Sequence, residues 1–224
     1  MRMPLGFMAA LTFIVCCVPQ QSASTPPPPT YMVEDGKAHF KMRVADIRAQ
    51  GLIKSGVLFA GDSLTEGGDW ARYFPDIETA NHGVGWDTSD GLHLRTEVIS
   101  ENRPDKIFIM IGTNDLAYNR SPAQIAETVR MLVTSLQGSE RQARIYLQSV
   151  LPREAAAGAN IAAINAAYKA IANDLGRVTF VDLTPAFAAP DGTLRADLTY
   201  DGLHLNQAGY EVWLGEIKGL VTAR

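Results

Sequence analysis

The segment with the strongest structural signal reads Val57-Leu58-Phe59-Ala60-Gly61-Asp62-Ser63-Leu64-Thr65-Glu66-Gly67. Its first four residues are apolar and predict a short buried strand, which the Gly-Asp-Ser sequence ends abruptly. Ligands of open parallel sheets bind beyond the carboxyl ends of the strands, so a serine at this place is a candidate nucleophile. The alternative is structural, because Asp62 or Ser63 can equally cap a helix that follows the strand.

Four further apolar segments predict strands, and segments with helical periodicity lie between them. The strands are predicted at residues 77–81, 106–111, 144–150 and 178–182, and the main helices at 36–50, 89–100, 122–138, 160–175 and 206–220. Strands and helices that alternate over short links are typical of a parallel sheet covered by helices on both faces. The sequence therefore predicts an α/β fold with a five-stranded parallel sheet.

Length and composition indicate a single ordinary globular domain. The chain has 224 residues, of which 20% are charged and 46% hydrophobic, and its formal net charge is -4. We find no cluster of Lys and Arg residues that would neutralise several phosphates at once, and the net charge is negative. A nucleic-acid partner is therefore not expected.

The N-terminal residues are typical of a targeting segment. Arg2 precedes an apolar run over residues 5–18, and small residues follow at 22–24. The run is too short for a membrane span, so we predict a signal peptide at residues 1–24, a Pro-rich linker at 25–35 and the folded domain at 36–224. This organisation predicts export to the periplasm or the medium, without a stable membrane span in the mature protein.

Both cysteines, Cys16 and Cys17, fall within or beside the apolar run. Cleavage after it would leave a mature protein with no thiol, which excludes thiolate nucleophiles and thiolate metal sites. Lipidation of one of these cysteines is an alternative to free release, although the residues before them are not the small ones that such processing usually requires.

Three residues elsewhere complement a serine nucleophile. His204 lies in Asp201-Gly-Leu-His204, where a turn can bring the carboxylate of Asp201 to the imidazole and fix its tautomer. The two residues can also be plain loop and helix caps. Asn114, in Gly112-Thr-Asn-Asp115 after the third strand, can donate to a developing oxyanion, or close the strand with an Asx-turn.

Together these segments resemble the SGNH hydrolases, the superfamily that includes the GDSL lipases and esterases. Gly61-Asp-Ser-Leu-Thr-Glu-Gly67 resembles the nucleophile block, Gly112-Thr-Asn-Asp115 the Gly-x-Asn-Asp block and Asp201-Gly-Leu-His204 the Asp-x-x-His block. The resemblance implies a three-layer α/β/α flavodoxin-like fold with strand order 2-1-3-4-5. It also implies that Ser63 is the nucleophile, that His204 is a base oriented by Asp201, and that the Ser63 N–H and the Asn114 side chain belong to an oxyanion hole.

The second block departs from the family pattern. Where many members have a glycine before Asp-Thr, this chain reads Gly85-Trp86-Asp87-Thr88, so Trp86 takes the place of the residue that donates its backbone N–H. A tryptophan would be strained there if φ must be positive. Gly83 or Gly85 is then the alternative donor.

The resemblance implies a carboxylic-ester hydrolase that works through an acyl-enzyme and needs no metal or other cofactor. A small acyl ester of a carbohydrate, such as an acetyl ester, is the expected substrate, because aromatic residues (Trp70, Trp86 and Tyr118) are expected near the site. Trp70 can also be a core residue, and Arg153 either reaches the substrate or is solvated. An acyltransferase with the same serine and a non-catalytic glycan-binding module are the alternative functions.

Overall fold

The computed structural model describes residues 28–139 and 142–223. The predicted signal peptide, residues 1–24, lies outside these ranges. A parallel sheet forms the centre of the described part, with the strands β1 (Val57–Gly61), β2 (Thr79–Gly83), β3 (Lys106–Met110), β4 (Arg144–Gln148) and β5 (Val178–Val181). They lie side by side in the order β2-β1-β3-β4-β5, and every pair is parallel. The predicted α/β fold and strand order are confirmed.

Helices precede, connect and follow these strands. They are α1 (Glu34–Ala49), α2 (Ser63–Glu66), α3 (Trp70–Tyr73), α4 (Ser89–Leu94), α5 (Thr96–Ser100), α6 (Thr113–Ala117), α7 (Pro122–Ser139), α8 (Gly158–Asp174), α9 (Thr184–Phe187) and α10 (Gln207–Thr222). Two single 3₁₀ turns, Ala155–Ala157 and Ala196–Leu198, complete the connections.

Side chains of the central strands alternate between two cores, because successive residues of a strand point to opposite faces of the sheet. On one face, Leu58 and Ala60 of β1 pack in the cluster that contains the buried sides of α7 and α8. On the other face, Val57 and Phe59 pack in the cluster that contains α10. The helices therefore form an outer layer on each face, as the three-layer fold requires.

Helix α1 packs beside β2, the strand at one edge of the sheet. Phe40, Val44 and Ile47 are buried in a third cluster, together with Met32 and Val84. The residues just before α1 also contact the domain, because the Tyr31 hydroxyl is 2.9 Å from both Thr88 Oγ1 and Asp90 Oδ2. Tyr31, within the predicted linker, therefore contacts the folded domain.

Two predicted elements differ from those observed. Strand β2 spans Thr79–Gly83, two residues later than predicted. The single helix predicted at 89–100 is two short helices, α4 and α5, with a break at Arg95. The break has a physical reason, since Arg95 is fully buried and its guanidinium reaches back to Asp87 and to the end of β1.

Candidate active site

The strand ends bring Ser63, His204 and Asp201 into one hydrogen-bonded chain. Ser63 is the first residue of α2, two residues after the end of β1, and its Oγ lies 3.0 Å from Nε2 of His204. The other ring nitrogen of His204, Nδ1, lies 2.7 Å from Oδ2 of Asp201. In this arrangement a base can accept the hydroxyl proton while a carboxylate holds its tautomer and orientation. The three predicted residues are thus together, with hydrogen bonds in the order that nucleophilic catalysis requires.

Asp62, and not Ser63, is the residue that caps helix α2. Its Oδ1 accepts from the Leu64 N–H at 3.0 Å. Since the adjacent carboxylate satisfies the helix end, the Ser63 hydroxyl is left for His204. Burial raises the pKa of Asp62 to about 7, against the opposing effect of the Leu64 hydrogen bond. The two roles considered for this segment therefore fall on different residues: Asp62 caps α2, and Ser63 remains the candidate nucleophile.

Asp201 both closes its own turn and orients His204. Its Oδ1 accepts from the backbone N–H groups of Leu203 and His204, at 2.9 and 2.7 Å, while Oδ2 faces the imidazole. Desolvation alone would raise the pKa of this carboxyl. The hydrogen bonds from the His204 ring and from the two N–H groups outweigh it and lower the pKa to about 2. Asp201 is therefore a carboxylate at any ordinary working pH.

Potential hydrogen-bond donors come from the ends of three neighbouring strands. The Ser63 N–H follows β1, the Trp86 N–H follows β2 and the Asn114 side chain follows β3. No group in the described part of the chain accepts from the N–H of Ser63 or of Trp86. Asn114 Nδ2 donates one hydrogen to the Asp87 carbonyl at 2.9 Å, which leaves its second hydrogen available. The N–H of Gly85 is taken, because it donates to the Glu66 carboxylate at 2.5 Å.

Trp86 is the third residue of a tight turn. The Asp87 N–H donates to the Val84 carbonyl at 3.1 Å, and Trp86 has φ 60°. A positive φ at this position is typical of a type II turn, which usually takes glycine. The tryptophan is therefore in a strained left-handed conformation, with a side chain that is 48% exposed.

We expect Trp86→Gly to be more stable than Trp86→Ala by about 1 kcal/mol. Both variants lose the indole ring, but only alanine keeps a Cβ that opposes the left-handed conformation. Urea unfolding of the two variants measures the difference. The same pair of substitutions at Met42, an exposed position within α1, is the control and should show the opposite order, because glycine is the poorer helix former. Equal stability of the two Trp86 variants would contradict the strain.

Arg95 and Asp87 form a buried ion pair behind the loop that carries Trp86. Both side chains are fully buried, and Arg95 Nε lies 2.8 Å from Asp87 Oδ2. Arg95 Nη2 also donates to the Gly61 carbonyl at 3.0 Å, so one guanidinium joins this loop to the end of β1. The sequence contained a signal that we did not use. Arg95 falls on the same helical face as Leu92 and Ile99, and a charged residue on an apolar face is usually paired.

Two of the other aromatic candidates, and the histidine near the end of β2, are packed within the fold. Trp70 is a core residue, stacked on Phe59 at 4.0 Å between ring centroids. Tyr118 packs against Tyr31 at 5.3 Å. His82 lies inside β2, where burial first, and then the charges of Arg95 and Arg43, lower its pKa to about 3. Of the three predicted rim aromatics, Trp86 alone is strongly exposed.

Tyr200 is an exposed aromatic residue that sequence reasoning missed. Its ring is parallel to that of His204, with centroids 5.8 Å apart and an interplanar angle of 9°. It is 71% exposed. Arg153 lies near the same loop, and its Nη1 donates to the carbonyl and hydroxyl of Thr113, the residue before Asn114. Two aromatic side chains, Trp86 and Tyr200, are thus presented to solvent near the serine and its base.

The described residues contain no group of three or more His, Cys, Asp or Glu side chains arranged to hold a metal ion. Within the same residues, no helix is long and apolar enough to cross a membrane.

Comparisons with known proteins show which proteins this chain resembles. A curated rat protein, platelet-activating factor acetylhydrolase IB subunit alpha1 from Rattus norvegicus, is 27% identical over 163 residues, which cover 69% of this chain and 69% of the relative. The structure of a GDSL-like lipase from Bacteroides thetaiotaomicron superposes with a TM-score of 0.69 at 24% identity, covering 82% of this chain and 97% of that one. A mutant of Axe2, an acetyl-xylooligosaccharide esterase from Geobacillus Stearmophilus, superposes with a TM-score of 0.62 at 21% identity. The superposition covers 78% of this chain and 96% of that one.

The two solved structures share the fold with this chain. Family membership rests on the sequence, since the GDSL-like Lipase/Acylhydrolase family model matches residues 59–212. This span includes the last three residues of β1, Ser63, the loop of Trp86, Asn114, and the turn from Asp201 to His204. The chain belongs to the GDSL-like lipase/acylhydrolase family of the SGNH hydrolases, and it is an esterase.

Proposed function

We propose that this esterase hydrolyses short-chain esters through an acyl-enzyme formed on Ser63. The observation that carries the proposal is the hydrogen-bonded chain from Ser63 Oγ through His204 to Asp201, with distances of 3.0 and 2.7 Å. A serine hydroxyl is a weak nucleophile by itself, and a base at this distance activates it. A non-catalytic binding module would not require this arrangement.

The reaction has two halves. Ser63 Oγ attacks the ester carbonyl carbon as its proton passes to His204 Nε2. The tetrahedral intermediate then loses the alcohol, whose oxygen takes the proton back from His204, and the acyl-enzyme is left. In the second half His204 removes a proton from water as its oxygen attacks the same carbon. The second tetrahedral intermediate then expels Ser63 Oγ, which takes the proton back from His204, and the carboxylic acid is released. Asp201, ionised throughout, stabilises the imidazolium in both halves.

The negative oxygen of each intermediate needs fixed donors. We assign this role to the N–H groups of Ser63 and Trp86 and to Asn114 Nδ2, which come from three adjacent strand ends. Gly85, the alternative donor in this loop, is already bonded to Glu66 and is the weaker candidate. Fixed donors of this kind stabilise the oxyanion without reorganisation during the reaction.

Two observations support a small acyl group on a carbohydrate. A cleft of about 210 Å³ beside Asp201 is lined by four polar or charged residues (Arg153, Glu154, Thr193 and Asp201), by Gly202 and by two leucines, Leu194 and Leu203. A more apolar groove of about 500 Å³ lies between α8 and the end of β5, and no triad residue lines it. The exposed rings of Trp86 and Tyr200 offer flat apolar faces to a sugar.

Related proteins act on acetyl groups according to their names, which include a platelet-activating factor acetylhydrolase and an acetyl-xylooligosaccharide esterase. We extend the acetyl preference to this chain. With the signal peptide predicted at residues 1–24, the proposal is an exported acetyl esterase.

We expect kcat/KM for p-nitrophenyl acetate to exceed that for p-nitrophenyl octanoate by about tenfold or more, because the apolar groove that could hold a long acyl chain is lined by no triad residue. Acetate release from an acetylated xylooligosaccharide and from an acetylated glycerophospholipid then compares two alcohols with the same acyl group. Ser63→Ala supplies the background of spontaneous hydrolysis. Faster turnover of the octanoate would contradict the short-chain preference, and a preference for the phospholipid would contradict the carbohydrate.

A further inference from the structure

A second set of residues fixes the loop of Trp86. A non-glycine residue in the left-handed region costs on the order of 1–3 kcal/mol, so the conformation persists only where the surroundings impose it. We propose that Glu66, held by His39 and Arg43 of helix α1, is a positioning residue that sets the direction of the Trp86 N–H. This inference rests on the proposed function, in which that N–H donates to the oxyanion.

Glu66 contacts the loop directly. Its Oε2 accepts from the N–H of Gly85 at 2.5 Å, which anchors the peptide immediately before the strained residue. The backbone of Glu66 is closely packed against the end of β2, since a Cβ added at Gly83 would lie 2.0 Å from the Glu66 backbone nitrogen. One carboxylate, three residues after Ser63, therefore links the nucleophile segment to the loop that follows β2.

Helix α1 holds Glu66 in place. His39 Nε2 lies 2.9 and 3.1 Å from the two carboxylate oxygens. Arg43 Nε lies 3.6 Å from Glu66 Oε1, and the same guanidinium donates to the carbonyls of Asn81 and Gly83 at the end of β2. The positive charge of Arg43 opposes the negative charge of Glu66, which would otherwise disfavour an oxyanion nearby.

The Trp86 side chain contacts the same helix. Its ring meets that of His39 edge-on, with centroids 5.5 Å apart. A Cβ added at Gly36 of α1 would lie 3.2 Å from Trp86 Cβ, so glycine permits this close approach. His39 and Arg43 both precede the residues that the family model matches, 59–212. Part of the support of the oxyanion site thus comes from a helix outside the matched region.

The test compares Glu66→Ala with Glu66→Gln. Removal of an oxyanion donor costs roughly 10²–10³ in turnover, so a donor that is present but displaced should cost less. We expect Glu66→Ala to lower kcat for p-nitrophenyl acetate by about 10- to 100-fold with KM changed less than about twofold, since the loss falls on the transition state. Affinity for methylboronic acid, which forms a tetrahedral adduct with the serine, should fall by the same factor. Glu66→Gln keeps an oxygen acceptor for the Gly85 N–H and should retain most of the wild-type kcat and most of the boronate affinity.

The matched control is Glu101→Ala, which removes another carboxylate that pairs with α1, through Arg48 at 3.3 Å. It should leave kcat and boronate affinity unchanged. If Glu66→Ala does not fold, His39→Ala tests the same support and should lower kcat by about threefold or more, again in step with boronate affinity.

Wild-type kcat in Glu66→Ala, or a Glu66→Gln variant as slow as Glu66→Ala, would overturn the positioning role. Full activity in His39→Ala would overturn the part assigned to α1. Each of these results is compatible with an inactive Ser63→Ala, so the proposed mechanism would stand. Activity that survives in Ser63→Ala would instead remove the proposed function.

Discussion

Ser63→Ala is expected to lower kcat for p-nitrophenyl acetate by roughly 10⁶-fold, to the level set by the remaining oxyanion donors and substrate binding. The reason is that no acyl-enzyme can form without Oγ, so His204 has no hydroxyl proton to accept. The substitution removes one atom that contacts His204, while Asp62 still caps α2. Initial rates at high enzyme concentration, corrected for spontaneous hydrolysis, measure the loss.

The matched control is Ser55→Ala, which removes an exposed hydroxyl shortly before β1 that bonds Glu78 at 3.0 Å. It should keep wild-type turnover. Thermal unfolding of both variants checks that the fold is retained. A Ser63→Ala variant with more than a few per cent of wild-type kcat would show that another group attacks the ester.

Asp201→Asn is expected to lower kcat on the order of 10⁴-fold. An amide can keep the turn closed, since its oxygen still accepts from the N–H groups of Leu203 and His204. Its NH₂ group would then face His204 Nδ1 and favour the tautomer with the hydrogen on Nε2. That nitrogen could no longer accept the Ser63 proton, so the loss should appear in kcat with a stable fold.

Asp191→Asn is the control for the aspartate-to-asparagine change, because Asp191 closes a similar turn by accepting from the Thr193 N–H at 3.0 Å. Turnover and unfolding should both match wild type. If Asp201→Asn lost stability and not turnover, Asp201 would be a turn residue alone, which is the structural alternative for this pair.

The sequence predicted those features that depend on local patterns. Apolar segments of strand length separated by helical periodicity predicted the sheet, because burial on both faces demands continuous apolar residues in β1 and β3. The motifs around Ser63 and Asn114 follow the ends of β1 and β3, and the motif of His204 lies in the loop before α10; in each place polar residues interrupt an apolar pattern. Their positions along the chain were therefore visible without coordinates.

Other features depend on contacts between residues far apart in the chain. Arg95 was assigned no role from the sequence, but it is fully buried, and its guanidinium bonds Asp87 and the Gly61 carbonyl. Trp70 looked equally suited to a substrate rim and to the core, and the stack on Phe59 places it in the core. Tyr200 carried no signal at all, since its relation to His204 is a matter of ring orientation.

The sequence by itself determined the fold class, the order of the strands through its resemblance to a known family, and the residues that we propose as nucleophile, base and orienting carboxylate. Only the tertiary structure decided which groups are free to act. Asp62 caps α2, so the Ser63 hydroxyl bonds His204, and Glu66 accepts from the Gly85 N–H, so the Trp86 N–H is the one we propose as the donor. The reason is physical: each polar group forms a limited number of hydrogen bonds, and folding brings together the groups that compete for them.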